Sequence, residues 1–437
     1  MTGSDEAMAR EKIKGNSGPL TGEITPPGDK SVSHRVLIIG SLASGTTEVS
    51  GFLNCEDTIS TANAMRKLGA GIDINGSDVK ITGKGLTGLS EPDDVIDAGN
   101  SGTTTRLLTG LLSAQGFFTA VTGDKYLRAR PMKRVVDPLR LMGARITGRE
   151  GGNRLPLAIE GGSLKGISYK LPVASAQVKS ALILAGMYAD GETEVVEPEP
   201  TRDHTERMLR HFGVNIEKNG NSIRITKQKE FAGRGITVPA DISSAAFFIV
   251  GALITPGSEL LIRNVGINPL RTGVIDVLRR MGGAIEIKNE REVSGEPVGD
   301  ILVRASALRG TVIEGETIPK AIDELPVIAA AACFADGETV IRDARELRVK
   351  ETDRIKAMTA ELLKLGARVS EFDDGMSIKG GSPLTGAGCS SWGDHRIAMA
   401  VAIAATRASG ETEIDGAECV SVSYPGFFEV LRGIQTD

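Results

Sequence analysis

The sequence predicts an α/β chain of two domains, each built from three small α+β repeats. Three observations lead there. The first is length: 437 residues exceed the roughly 250–300 at which one hydrophobic core usually stops growing, so two domains are expected. The second is a recurring pattern in which an apolar stretch ends at a glycine that opens a short β-like run. It occurs six times, as LIIGSLASGTTEVSG, RLLTGLLSAQGFFTAVTG, ALILAGMYADGETEVVE, FFIVGALITPGSELLIRN, VIAAAACFADGETVIRD and MAVAIAATRASGETEIDG. The pivots Gly45, Gly116, Gly191, Gly257, Gly337 and Gly410 follow one another at gaps of 71, 75, 66, 80 and 73 residues. The third is an echo between the pivots: LGAGIDI, MGARITG, FGVNIEK, MGGAIEIK and LGARVSE. Each reads as a helix ending at a glycine suited to the C′ position, followed by an alternating strand.

Self-similarity at a fixed period marks a repeat architecture. Each repeat reads as helix, strand, helix, strand, with further strands between. Three repeats per domain divide the chain near residue 240, where VPADISSAA begins the fourth. The domains are therefore drawn as 28–240, and 1–27 together with 241–437. Movement between open and closed forms is expected about two chain crossings, near residues 27 and 240. The first 19 residues or so are expected to be poorly ordered.

Composition narrows the function. With 51 basic against 56 acidic residues, a formal −5, the chain lacks the broad basic excess of a general nucleic-acid or anionic-membrane binder. Its longest apolar runs, 325–335 and 245–254, fall short of the roughly 18 residues of a membrane span. The polar start MTGSDEAMAREKIKGNSG shows no apolar signal region. Cysteines 55, 333, 389 and 419 form no C-x-x-C pair and the four histidines no H-x-x-x-H pair, so neither a disulfide framework nor a zinc site is indicated. A soluble, cytoplasmic protein without metal or cofactor is the expectation.

Cations gather in motifs along the chain. In PPGDKSVSHR (26–35), a Pro-Pro-Gly turn brings Lys30 and Ser31 to the start of a helix expected over 33–42. Arg35 follows one turn later. Free N–H groups and an ammonium there favour an anion, and a guanidinium suits a carboxylate. The P-loop spacing is absent. In DAGNSGTTTR (97–106), Gly99 to Gly102 allow a turn whose N–H groups could cradle an anion, with Arg106 on the helix behind. DKYLRARPMKRVVDPLR (124–140) carries Lys125, Arg128, Arg130, Lys133, Arg134 and Arg140. ASAQVKSALILAG (174–186) sets Ser175 and Gln177 at a helix start.

Further on, AIDELPVIAAAA (321–332) sets Asp323 and Glu324 before an apolar helix. LRVKETDRI (347–355) packs Lys350, Glu351 and Arg354 together, and WGDHRIAMA (392–400) sets Asp394, His395 and Arg396 before another apolar helix. Taken singly, each motif also fits a helix cap or a solvated charged face. Pooled, they do not. Four repeats open their helix with Lys30, Arg106, Lys179 or Arg396, against the helix dipole. A shared anionic ligand explains that placement, and a concentrated cationic site in an acidic chain points to a small polyanionic substrate.

In this order, PGDKSVSHR, GNSGTTTR, RVKETDR and GDHR closely resemble the 5-enolpyruvylshikimate-3-phosphate synthase family of 3-phosphoshikimate 1-carboxyvinyltransferases, from about Leu20 to the C-terminus. The resemblance implies an enolpyruvyl transferase fold of six βαβαββ-type repeats, three per domain, with the active site in the cleft between domains. It implies transfer of the enolpyruvyl group of phosphoenolpyruvate to the 5-hydroxyl of shikimate 3-phosphate, the sixth step of the shikimate pathway toward chorismate and aromatic amino acids. By the same resemblance, Lys30, Ser31, Arg35, Ser175, Ala176, Gln177, Asp323 and Lys350 would bind shikimate 3-phosphate. Lys30, Gly102, Arg130, Gln177, Arg354 and Arg396 would hold phosphoenolpyruvate. Asp323 would be the base, Glu351 the acid, and Lys30 would share proton transfer. A monomer is expected, with glyphosate as a possible inhibitor and no cofactor.

Four positions depart from the family's commoner residues. Ala176 stands for a frequent serine and Leu107 for a proline. Glu346 replaces an asparagine, and Val422 a lysine that binds phosphoenolpyruvate in some members. They resemble the more divergent bacterial branch and put glyphosate sensitivity in doubt. The related UDP-N-acetylglucosamine enolpyruvyl transferases usually carry a reactive cysteine in the loop matching 124–130, which here has none. A non-catalytic anion-binding protein would be expected to have lost Asp323 or Glu351, and both are present.

Overall fold

The structure is a computed structural model describing residues 10–436. The chain divides into two units. The amino-terminal unit takes Gly28–Pro239 and Glu292–Pro297; the carboxy-terminal unit takes the chain up to Pro27, Ala240–Arg291, and everything from Val298 on. Where two passages between the units were expected, the chain makes four, because the tip of a long hairpin belongs to the amino-terminal unit while its strands begin and end in the other.

In the amino-terminal unit the principal helices are α1 (Lys30–Leu42), α2 (Glu56–Lys67), α3 (Gly102–Leu112), α4 (Lys133–Leu141), α5 (Ala176–Gly186) and α6 (His204–His211). Three four-stranded sheets accompany them. In the first, Ser44–Ser50 runs parallel to Ile236–Thr237 and antiparallel to Asp78–Lys84, which pairs in turn with Gly71–Asn75. The other two have the same order: a short parallel strand, then three in antiparallel succession. Alternation sets the faces. Ile72, Val79 and Ile81 are buried, while Asp73 and Lys80 oppose each other on the outside.

The carboxy-terminal unit holds α7 (Ile242–Ile254), α8 (Gly273–Arg280), α9 (Leu325–Ala332), α10 (Arg354–Lys364), α11 (His395–Ala405) and α12 (Phe427–Ile434). Every residue of α7, α9 and α11 is buried, as expected of helices whose bodies are apolar on every face, and the three pack on one another. The polar residues of α7 and α11 are confined to their first turn. The amino-terminal segment completes two of this unit's sheets. Thr21–Ile24 lies parallel to Glu259–Gly266, and Arg10–Lys14 pairs antiparallel with Glu411–Asp415. The expected disorder up to about residue 19 is therefore wrong for Arg10–Lys14, because an open sheet edge takes up its backbone groups. The part of that expectation covering residues 1–9 lies outside the described residues.

The repeat read from glycine spacing is present in the backbone. The echo glycines Gly69, Gly143, Gly213, Gly282 and Gly366 all have φ between +86° and +103°, where any Cβ is strained. A further repeated device went unread. Arg66, Arg140, Arg210 and Arg279, each in the last turn of its helix, donate to the carbonyl oxygens of Ile72, Ile146, Ile216 and Ile285, six residues on. One side chain thus ties each helix end to the strand that follows. Five of the six helices preceding the pivots share a start as well: Asp29, Ser101, Ser175, Asp241 and Asp394 cap α1, α3, α5, α7 and α11 with their own side chains. Glu324, before α9, does not.

Candidate active site

In the amino-terminal unit the cap at Asp29 starts α1 at Lys30, three residues earlier than expected. Lys30 is the first helical residue and pairs with Asp57 at 3.1 Å. A turn on, Arg35 is buried. Its Nε donates to Thr205 Oγ1 at 2.7 Å, Nη2 to Ser180 Oγ at 2.9 Å and Nη1 to the Ser31 carbonyl at 2.9 Å. Burial pushes its pKa down to about 10 against the pull of Glu206 and Asp29, and the charge of Arg202 pushes the same way as burial. Arg202 is thus a second guanidinium near enough for Arg35 to feel its charge, outside every cationic motif of the sequence.

Ser175 caps α5, Ala176 is its first residue, and Gln177 lies one further in. Gln177 bridges elements: its Nε2 donates to Thr103 Oγ1 at 2.9 Å, and its Oε1 accepts from Arg106 Nη1 at 2.6 Å. Arg130 Nη2 donates to Asn100 Oδ1 at 2.6 Å, whose Nδ2 donates to Asp124 Oδ2 at 2.9 Å. Gly102, first residue of α3, sits beneath both arginines. A Cβ there would lie 2.8 Å from Arg106 Nη1 and 3.2 Å from Arg130 Nη1, so the missing side chain leaves room for the guanidinium groups. Lys30, Ser31 and Arg35 thus come together around α1, and Gly102, Arg130 and Gln177 around the start of α3.

Not every cation of the motifs joins these clusters. Lys179 was expected to face an anion. It is instead fully buried, 3.0 Å from Glu197 Oε2 and 2.8 Å from Glu206 Oε1. Desolvation opposes its charge, but Glu206 and Glu197 prevail and hold its pKa up. Lys125 lies over the Tyr126 ring, and Arg140 serves the Ile146 carbonyl.

The carboxy-terminal unit gathers Asp323, Lys350, Glu351, Arg354, Asp394 and Arg396. Arg354, first residue of α10 and 1 % exposed, is the hub. Its Nε meets Asp394 Oδ2 at 2.7 Å, Nη1 meets Asp323 Oδ1 at 3.2 Å and Nη2 meets Glu351 Oε2 at 2.6 Å. Burial opposes the charge, but Asp394, Glu351 and Asp323 outweigh it and hold the guanidinium protonated. Lys350 Nζ is 3.4 Å from the same Asp323 oxygen. Arg396 is tied down at one point, Nη1 donating to the Asp323 carbonyl at 3.0 Å. Arg354 therefore fixes three carboxylates, whereas Arg396 can still present a charged edge to an anion. Asp394 is fully buried, capping α11 while bonding Arg354. Among the described residues no group of three or more His, Cys, Asp or Glu side chains is placed to hold a metal ion, and no helix is long and apolar enough to cross a membrane.

Comparison with known proteins adds independent findings. The family model of EPSP synthase (3-phosphoshikimate 1-carboxyvinyltransferase) matches residues 15–431. The 3-phosphoshikimate 1-carboxyvinyltransferase of Geobacter metallireducens is 58% identical over 415 residues, 95% of this chain and 97% of that one. The enzyme of the same name from Syntrophotalea carbinolica is 54% identical over 429 residues, 98% of this chain and 100% of that one. Among solved structures, EPSP synthase from Acinetobacter baumannii superposes with a TM-score of 0.88 at 46% identity, covering 98% of both chains.

Proposed function

The chain belongs to the EPSP synthase (3-phosphoshikimate 1-carboxyvinyltransferase) family, and from that premise we propose how its residues divide the work. As a member it is a transferase of the shikimate pathway, moving the enolpyruvyl group of phosphoenolpyruvate to shikimate 3-phosphate. Lys30, Ser31, Arg35, Ser175, Ala176 and Gln177 bind shikimate 3-phosphate, with Asp323 and Lys350. Lys30, Gly102, Arg130, Gln177, Arg354 and Arg396 serve phosphoenolpyruvate. The enzyme is read as monomeric and cytoplasmic, with glyphosate as a candidate inhibitor whose grip the Leu107 and Val422 departures put in question.

Asp323 takes the proton of the 5-hydroxyl as its oxygen bonds to the central carbon of phosphoenolpyruvate, and Glu351 gives a proton to the methylene carbon. The tetrahedral intermediate then loses phosphate and a methyl proton, which the now ionised Glu351 takes back, with Lys30 sharing proton transfer. Surrounding cations offset charge on carboxylate and phosphate. The observation that carries this reading is the bonding of Asp323 and Glu351 to the single buried guanidinium of Arg354. That holds base and acid in one fixed arrangement.

The test is phosphate release by the purified chain, with each substrate omitted in turn. Release that needs both substrates is expected. No release with shikimate 3-phosphate or with UDP-N-acetylglucosamine as acceptor would leave an anion-binding protein.

A further inference from the structure

Glu324 stands beside the proposed base, yet no part of the mechanism above uses it. Its side chain is wholly buried. A buried carboxylate costs several kcal/mol unless it is paired, so its presence asks for a reason. Helix capping is not one. At the matching position of the five sibling helices an Asp or Ser caps its own helix, whereas Glu324 leaves α9 uncapped. Its Oε1 instead accepts from the hydroxyl of Ser243 on α7. Its Oε2 has no partner.

The bond from Ser243 is oriented from behind. Arg271 Nη2 donates to Ser243 Oγ at 2.8 Å and to Asp241 Oδ1 at 3.0 Å, and Asp241 also accepts from Ser243 N at 2.8 Å. With its lone pairs engaged by Arg271, the Ser243 hydroxyl has its proton free to point at Glu324. On the other side, Oε1 lies 3.9 Å from Arg396 Nη1, the atom that donates to the Asp323 carbonyl. Two anions, Asp241 and Glu324, thus alternate with two cations, Arg271 and Arg396, in one buried line ending at the backbone of Asp323.

We infer that Glu324 is a positioning residue, anchored through Ser243 and Arg271. Its charge holds the Arg396 guanidinium against the Asp323 carbonyl, so that Arg396 meets phosphoenolpyruvate already aligned and Asp323 cannot drift. This rests on the reading of Arg396 and Asp323 given above. Low local dielectric makes the countercharge effective at 3.9 Å. Misplacement by an ångström at a reacting centre costs on the order of a hundredfold in rate, so a partial release of Arg396 should cost less.

Two variants test it. Glu324→Gln keeps the acceptor and removes the charge; Ser243→Ala keeps the charge and removes its anchor. Each is assayed for phosphate release with phosphoenolpyruvate varied, and for shikimate 3-phosphate affinity by calorimetric titration without phosphoenolpyruvate. The expected result is a KM for phosphoenolpyruvate raised about tenfold in Glu324→Gln and less in Ser243→Ala, with kcat lowered and shikimate 3-phosphate affinity, which feels Glu324 only through Asp323, lowered no more than about threefold. Equal losses for both substrates would mean a structural role only and overturn the inference. So would kinetics within about twofold of wild type in both variants. Wild type in the same assay separates the two readings, since its failure to release phosphate would defeat the functional proposal instead.

Discussion

His34 lies between Ser31 and Arg35, both proposed to bind shikimate 3-phosphate, yet it belongs to the core. It is fully buried, its Nδ1 is 2.7 Å from Thr61 Oγ1 and its Nε2 has no partner. Burial lowers its pKa to about 3, so the folded chain keeps it neutral where an unfolded chain would protonate it, below about pH 6.5. The unfolded state then binds more protons, and stability falls as pH drops from about 6.5 toward 3. Between pH 7 and 5 the loss from this residue should be about 2 kcal/mol. Urea unfolding of wild type and His34→Gln at both pH values checks it: the wild-type midpoint should fall further, and parallel falls would refute it. The motif around His34 was legible, but its burial was not. Lys179 gives the same lesson. In the sequence it matches Arg396, a cation early in an apolar helix, and only the carboxylates of Glu197 and Glu206, brought in from elsewhere, make it a core residue.

At the level of elements, regular features were the readable ones. All five echo glycines and five of the six pivots have positive φ, Gly116 being the exception, so their spacing exposed the repeats. The hairpin of Ala284–Val293 and Glu296–Arg304 was not readable, because REVSGEPVG looks like any polar turn. Its tip is held by specific contacts within the amino-terminal unit. Glu296 Oε1 is 2.8 Å from His204 Nδ1, the Gly295 carbonyl accepts from Arg207 Nη1 at 3.1 Å, and Ser294 Oγ accepts from Thr237 N at 2.9 Å. His204 opens α6, and the next residue, Thr205, holds Arg35. Losing the buried His204–Glu296 bond should cost about 1–3 kcal/mol. In His204→Ala, amide exchange across 292–297 should accordingly rise about five- to a hundredfold, and the KM for shikimate 3-phosphate should increase through the loosened Thr205. Unchanged exchange at the tip would mean that the other two bonds suffice.

At the scale of the molecule, most buried apolar side chains among the described residues fall into two clusters that share no member. One draws on residues 32–238, the other on 13–24 and 242–434. The sequence announced the repeats but not which terminal pieces would join which core; that depends on sheet edges that a linear reading cannot see. Separate cores imply separate cooperative units, so unfolding without substrate should be broader than two-state, with a calorimetric enthalpy above the van't Hoff value. Phe248 offers a way to move one unit alone. It is fully buried, with ring centroids of Tyr424 and Phe427 at 5.7 and 5.3 Å. Phe248→Ala should cost about 3–5 kcal/mol, and at about 2–4 °C per kcal/mol for a unit of this size one calorimetric component should drop by roughly 6–20 °C. Amides of α3 and α5 should keep their exchange protection at temperatures where those of α9 and α11 have lost it. A single transition displaced as a whole, with all four helices losing protection together, would show that the two cores unfold as one.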